Sequence, residues 1–228
     1  MRGLLFSFLS VTVFTASVSA DMRAMRNDPV VPNRCSMPSA DVFKSNTVQK
    51  ITYSTLGGKR RGFTHEYPIF RSDARILWQV AKRGRADQAT LRRLRANEQL
   101  WNAYQDIIDA QRTYEFDFDK EGDVLEALSL MEVTRQMNEN NYFLTGGIEY
   151  YHERQGRTLG EIDLWLARRS DCTVVAIGEM KLNPRRVSKA NKQLERFQNY
   201  IWRNQNRDNS ARSRFVNIVD SVDRLFGR

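Results

Sequence analysis

The sequence predicts an α/β protein in which helices flank a mixed β-sheet. Apolar residues recur at helical spacing in 122–137 and again in 189–204, which indicates two amphipathic helices. Runs of β-branched and aromatic residues typical of strands occur at 142–153, 162–166, 173–177 and 214–219. The predicted order in the C-terminal half is therefore helix, three strands, helix and strand.

The first twenty residues are typical of a secretory signal peptide. Arg2 provides a basic start, the apolar stretch 3–14 is too short for a comfortable membrane span, and 18–20 offers small residues before a cleavage site. Cleavage would leave Asp21 as the new N-terminus. The alternative is an uncleaved N-terminal anchor. We expect a secreted or periplasmic protein, with no transmembrane segment after signal cleavage.

The remainder of the chain is expected to form two parts. Residues 21–118 are predicted to be a mostly helical N-terminal extension, and residues 119–228 are predicted to be the α/β domain. The chain has 36 Lys and Arg residues against 27 Asp and Glu residues, a formal net charge of +9. This excess favours an anionic partner such as nucleic acid or a membrane surface.

Two basic segments of the N-terminal half each allow two interpretations. The glycine-flanked turn at 57–62 could bind phosphate or could be a solvated turn. A cluster in the predicted helices could bind a nucleic-acid backbone or form a solvated face. Its members are Arg83, Arg85, Arg92, Arg93 and Arg95.

The two cysteines, Cys35 and Cys172, permit one disulfide in an exported protein. The alternative is two unpaired thiols. Two cysteines and two histidines without metal-type spacing argue against a structural zinc site. Neither His65 nor His152 lies in a recognisable triad motif, which leaves a serine or cysteine hydrolase poorly supported.

The strand runs 162–166 and 173–177 flank a polar turn at 167–172, which predicts a β-hairpin. This hairpin has acidic residues at positions that are unusual for a buried element. Asp163 lies inside its first strand, and Glu179 and Lys181 lie at the end of its second strand. Because side chains alternate along a strand, Glu179 and Lys181 project from the same face, where Asp163 can meet them. Burying two carboxylates together is costly unless a cation lies between them. This arrangement suits metal-assisted phosphodiester hydrolysis, and the alternative is a solvated hairpin with charged ends.

Asp163, a hairpin and then Glu179-Met180-Lys181 resemble the signature of the PD-(D/E)xK nucleases. The run 160–164, GEIDL, looks most like the small bacterial proteins similar to archaeal Holliday-junction resolvases. Ile162 stands where the family usually has Pro, as it does in that branch. The resemblance covers only the C-terminal half and implies an αβββαβ core, the order that the apolar pattern predicts independently.

The resemblance also implies a cofactor and roles for individual residues. Asp163, Glu179 and the carbonyl of Met180 would hold Mg²⁺ or Mn²⁺, and Lys181 would orient the attacking water. Glu126 would correspond to the family's helical active-site glutamate, with Glu132 as the alternative.

Two further groups of residues would contact the substrate. Gln193 with Phe197 resembles a Gln-x-x-x-Tyr element of the family, although Phe replaces Tyr here. The expected nucleic-acid-binding residues are Arg185, Arg186, Lys189, Lys192 and Arg196.

The sequence as a whole predicts a secreted, metal-dependent nuclease, either an endonuclease or an exonuclease. Its substrate is nucleic acid, with DNA favoured over RNA but both left open. An immunity or inhibitor protein is an expected partner, because a nuclease made in the cytoplasm needs control before export. Two alternatives stay open. One is a non-catalytic nucleic-acid-binding module on a nuclease fold, and the other is a cell-envelope interaction protein.

Overall fold

The computed structural model describes residues 22–24, 29–36, 38–43, 46–53, 69–152, 155–205, 212–219 and 225–226. The predicted signal peptide at 1–20 and the basic turn at 57–62 lie outside the described residues.

In the described part of the second half of the chain, one α-helix is followed by five strands, a second α-helix and a last strand. The α-helices are α1 Arg71–Arg83, α2 Gln88–Arg95, α3 Glu98–Tyr114, α4 Gly122–Gln136 and α5 Val187–Asn204. The strands are β1 Met22–Ala24, β2 Thr47–Tyr53, β3 Tyr142–Thr145, β4 Ile148–His152, β5 Arg157–Ile162, β6 Leu164–Arg168, β7 Val174–Met180 and β8 Arg214–Val219. Short 3-10 helices cover Asn33–Cys35, Ala40–Phe43 and Pro184–Arg186.

The main sheet has five strands in the order β3-β6-β7-β2-β8. Strands β3, β6 and β7 pair antiparallel, whereas β2 pairs parallel to both β7 and β8. The protein is therefore α/β with a mixed sheet flanked by helices, as the sequence predicts.

A second, three-stranded antiparallel sheet consists of β1, β4 and β5. Strand β3 runs into β4 through Gly146 and Gly147, and β5 runs into β6 through Asp163. Gly147 has a φ of 66°, a left-handed conformation that favours glycine. The predicted strand at 142–153 is thus two strands with a bend at the two glycines, and Asp163 lies at the matching break in the adjacent strand.

Alternating side chains of the main sheet enter two separate hydrophobic cores. Leu164 and Leu166 pack with α1, α3 and α4 on one face, and Trp165 and Ala167 pack with α5 on the other. This alternation follows from the two-residue period of a strand that is apolar on both faces. All four side chains are buried, with at most 4% exposure.

The described part of the predicted N-terminal extension packs into the same cores as the C-terminal half. Strand β2 lies between β7 and β8, and α1 and α3 contact α4. Val48 and Ile51 of β2 are fully buried on opposite faces of the sheet. A strand with apolar side chains on both faces is stable only inside a sheet, so the chain has no packing boundary at residue 118. None of the described helices is long and apolar enough to span a membrane.

A disulfide joins Cys35 to Cys172, with 5.4 Å between the two Cα atoms. Cys35 ends a 3-10 helix, and Cys172 lies in the turn between β6 and β7. Beside the bridge, the guanidinium of Arg34 donates to the carbonyl oxygen of Arg169. The segment before β2 is therefore attached covalently to the hairpin.

Candidate active site

An open pocket of about 980 Å³ lies at the end of β7, beside the break between β5 and β6. Helix α4 borders the pocket on one side, and the start of α5 borders it on the other. The lining side chains are mostly charged, with carboxylates and cations in similar numbers. They include Arg71, Lys120, Glu121, Glu126, Glu161, Asp163, Glu179, Lys181, Arg185, Arg186, Lys189 and Gln193.

Asp163, Glu179 and Lys181 meet at the base of this pocket. Asp163 and Glu179 are 5% and 1% exposed. The backbone N–H of Met180 donates to Asp163 Oδ2 at 2.6 Å, which fixes the carboxylate against the end of β7. Because the strand is interrupted at Asp163, the side chain of Asp163 lies against the neighbouring strand β7. There it is close to Glu179 and Lys181, as the sequence predicts.

The ammonium group of Lys181 lies among the three oxygens that the sequence predicts as metal ligands. It donates to Glu179 Oε1 and to the carbonyl oxygen of Met180, the latter at 2.7 Å. Its distance to Asp163 Oδ2 is 3.5 Å. The two carboxylates and the carbonyl therefore converge on a single positively charged atom.

The donor set fits a hard divalent cation such as Mg²⁺ or Mn²⁺. Within the described part of the chain, Glu179 Oε2 is buried and has no hydrogen-bond partner, which is costly for a carboxylate oxygen. No group of three or more His, Cys, Asp or Glu side chains among the described residues is arranged to hold a metal. Mg²⁺ needs few protein ligands, since water and phosphate oxygens complete its shell. Two carboxylates and one carbonyl meet that need.

Burial and mutual repulsion shift the acidic pKa values upward at this site. Burial raises the pKa of Asp163, while Lys181 and the Met180 N–H act against it. Burial and the neighbouring Asp163 raise the pKa of Glu179 well above its usual range. Burial opposes the charge of Lys181, but Asp163 and Glu179 outweigh burial and raise the pKa of its ammonium. The lysine is therefore held in its charged form.

Glu126 projects from α4 into the same pocket, and Glu132 does not line it. Glu132 is buried elsewhere on α4, so the structure brings Glu126 and not Glu132 to the predicted acidic residues. Burial, followed by Asp163, Asp123 and Glu161, raises the pKa of Glu126 well above 4.5, and Lys120 opposes that shift. Four carboxyl groups and two lysines thus share this part of the pocket, namely Glu126, Glu161, Asp163, Glu179, Lys120 and Lys181.

Glu126→Gln is expected to stabilise the metal-free protein, with a gain that grows with pH. A carboxyl group whose pKa is raised on folding stabilises the fold below its ordinary pKa of 4.5, and this contribution is lost as the pH rises through the raised value. Glutamine removes that loss. Urea unfolding without divalent cations, from about pH 4 to about pH 8, measures the difference.

Glu139→Gln is the matched control, because Glu139 is exposed and lies outside the pocket. Its free energy of unfolding should follow that of the unchanged protein across the same pH range. An E126Q difference that stays constant with pH would contradict the raised pKa.

Cations form the outer rim of the pocket. Arg185, Arg186 and Lys189 are exposed and line it from the 3-10 helix and the first turn of α5. Gln193 lines it one turn further on, and its Oε1 is buried without a hydrogen-bond partner in the described structure. Lys192 and Arg196 are also exposed, but they lie outside this pocket.

Sequence reasoning missed several charged residues of the pocket. Glu161 precedes Asp163 by two positions, and strand alternation could have placed it on the same side. Lys120 comes from the loop before α4, and Arg71 and Glu121 reach the rim as an ion pair with a 3.3 Å separation. No local pattern predicts these three, because their position depends on how α1 and α4 pack.

Comparison with known proteins gives no match: no family model, no curated protein and no solved structure matches this chain.

Proposed function

We propose that this protein is a metal-dependent phosphodiesterase that cleaves nucleic acid. The observation that supports this most is the convergence of Asp163, Glu179, the Met180 carbonyl and Lys181 at the base of one open pocket with a cationic rim. Carboxylates that bind a cation, a lysine beside them and exposed cations around them are the groups that phosphoryl transfer requires.

The order of elements supports a PD-(D/E)xK core. Helix α4 precedes the antiparallel strands β3, β6 and β7 of the main sheet, and α5 connects β7 to β8. The αβββαβ order that the resemblance implies therefore has a counterpart here. In this chain β2 lies between β7 and β8, so β7 and β8 are not direct neighbours.

Each side chain of the pocket has a proposed part in hydrolysis. A divalent cation held by Asp163, Glu179 and the Met180 carbonyl would lower the pKa of water and neutralise charge on the scissile phosphate. Lys181 orients the attacking water and stabilises the charge that develops on the phosphate oxygens. Glu126 positions water from the opposite wall, and Gln193 contacts the substrate.

The proposed substrate is nucleic acid, with DNA preferred over RNA. Arg185, Arg186 and Lys189 contact backbone phosphates at the rim without reading sequence, and Lys192 and Arg196 extend this basic surface along α5. We also propose that residues 1–20 direct export to the periplasm or the medium. The Cys35–Cys172 disulfide supports export, since disulfides persist in oxidising compartments. An inhibitor protein that covers this basic surface before export is a further proposed partner.

One observation favours a second candidate, a nucleic-acid-binding module without catalysis. The ammonium of Lys181 already neutralises Asp163 and Glu179 through direct contacts. A purely structural cluster of this kind would leave the basic rim able to bind nucleic acid but unable to cut it. The remaining alternative, a cell-envelope interaction protein, predicts binding to anionic vesicles and indifference to DNA.

The test combines cleavage and binding in one experiment. Protein from Asp21 onward is incubated with plasmid, linear DNA, single-stranded DNA and RNA, each with Mg²⁺, with Mn²⁺ or with EDTA. Products that appear only with metal support the nuclease. Salt-sensitive binding with no product on any substrate supports the binding module, and vesicle binding alone supports the envelope protein.

A further inference from the structure

A second groove, of about 550 Å³, lies between the C-terminal half of α5 and the β4–β5 hairpin. We propose that this groove binds a single-stranded segment of the same nucleic acid whose scissile phosphate occupies the Asp163–Lys181 pocket. The inference rests on the proposed function and names the form of its substrate.

The chemistry of the groove suits a nucleotide. Three arginines line it, namely Arg157, Arg196 and Arg203, together with Asn199 and Asn204. No carboxylate is found among the described residues of its lining. Guanidinium groups bind phosphate, and amide side chains pair with base edges. The described lining of this groove therefore carries three guanidinium groups and no carboxylate, unlike that of the pocket at the end of β7.

Aromatic side chains provide the other half of nucleotide recognition. Tyr150 and Tyr200 form the buried side of the groove, with ring centroids 5.0 Å apart. Tyr151 and His152 also line it and keep part of their surface exposed. Aromatic rings can stack on bases only where the bases are unpaired, because a duplex buries the base faces. The combination favours a single strand over a duplex.

Helix α5 connects this groove to the proposed active site. Its cationic residues Lys189, Lys192, Arg196 and Arg203 follow spacings of three, four and seven, which places them on one face of the helix. Glu195 is the only acidic residue of α5, and its charge acts on Lys50, outside this face. At 1.5 Å per residue, Gln193 and Arg203 are separated by about 15 Å. That distance corresponds to about four nucleotides at the duplex spacing of 3.4 Å, and to fewer in an extended single strand.

The exposed arginines Arg157 and Arg203 allow a test that leaves the catalytic pocket intact. Binding of a fluorescein-labelled single strand of about twelve nucleotides, within the usual range of single-strand site sizes, is measured by anisotropy in EDTA, for DNA and for RNA. R157A/R203A should weaken binding by about tenfold and reduce the slope of log affinity against log salt by about 1.4, since each phosphate contact contributes about 0.7. Tyr151→Ala should weaken binding without a change in that slope.

R112A/R168A is the charge-matched control, because both arginines form local ion pairs away from the two pockets. It should bind as the unchanged protein does. Equal affinity of R157A/R203A and this control for single strands would overturn the proposal. A loss of duplex or anionic-vesicle binding with single-strand binding retained would overturn it as well.

Cleavage of a small phosphodiester, thymidine 5′-p-nitrophenyl phosphate, separates this inference from the proposed function. The compound is too short to reach the groove, so R157A/R203A should cleave it as the unchanged protein does. Absence of metal-dependent cleavage by every form would count against the proposed function. The anisotropy result in EDTA would still decide the question of the groove.

Discussion

Lys181→Ala is expected to lower the rate of metal-dependent phosphodiester cleavage by about 10²–10³-fold, the cost of removing one preorganised donor from a catalytic site. Its ammonium contacts Glu179, the Met180 carbonyl and Asp163. Lys120, the other lysine beside these carboxylates, forms an ion pair with Asp123 instead. Single-turnover cleavage at saturating Mg²⁺ measures the chemical step. Lys82→Ala is the control, because Lys82 is exposed on α1 and lies over Trp78.

The same variant should bind metal at least as well as the unchanged protein. Lys181 competes with a divalent cation for the three oxygens, and alanine removes that competition. Calorimetric titration with Mn²⁺ measures the affinity, and circular dichroism verifies the fold, since removal of one partner leaves two buried carboxylates. A K181A protein that is folded and cleaves at the unchanged rate would contradict the role assigned to the lysine.

Removal of the Cys35–Cys172 disulfide by C35S/C172S is expected to lower the free energy of unfolding by about 2–5 kcal/mol. The bridge joins residues 137 positions apart, and a long closed loop restricts the unfolded chain strongly. Urea unfolding measures the loss. Reductant should destabilise the unchanged protein to a similar extent and should leave the double variant unaffected.

The activity of the folded double variant should stay unchanged. Cys172 lies in the turn at the start of β7, whereas Glu179 lies near the end of that strand. The bridge is therefore at the opposite end of the hairpin from the pocket. Equal unfolding free energies with and without the cysteines would show that the bridge does not constrain the chain.

Local periodicity predicts most elements of the second half of the fold, but it predicts neither the division of 142–153 into β3 and β4 nor strand β5. The apolar patterns of α4 and α5 and the strand-forming runs of β6, β7 and β8 each reflect one-dimensional spacing that burial imposes. The proximity of Asp163, Glu179 and Lys181 could also be predicted. Glu179 and Lys181 lie two positions apart on one face of a strand, and Asp163 comes from the adjacent strand.

The remaining features depend on contacts between distant parts of the chain. The apolar residues of β2, Val48 and Ile51, are compatible with a strand buried on both faces, but they do not specify the parallel partners β7 and β8. Lys120 and Arg71 enter the pocket only because α1 and α4 pack on the same face of the sheet. The groove beside α5 likewise depends on the β4–β5 hairpin lying against that helix, which no local pattern encodes.

The proposed metal-dependent nuclease activity is tested most directly by Mg²⁺-dependent DNA cleavage with the unchanged protein and with D163N. Asparagine keeps an oxygen for the Met180 N–H but removes the charge that would hold the cation. D171N is the matched control, because Asp171 pairs with Arg168 in the β6–β7 turn. We expect cleavage by the unchanged protein and by D171N, abolished by EDTA, and a loss of about 10²-fold or more in D163N. Equal cleavage by D163N, or none by the unchanged protein, would contradict it.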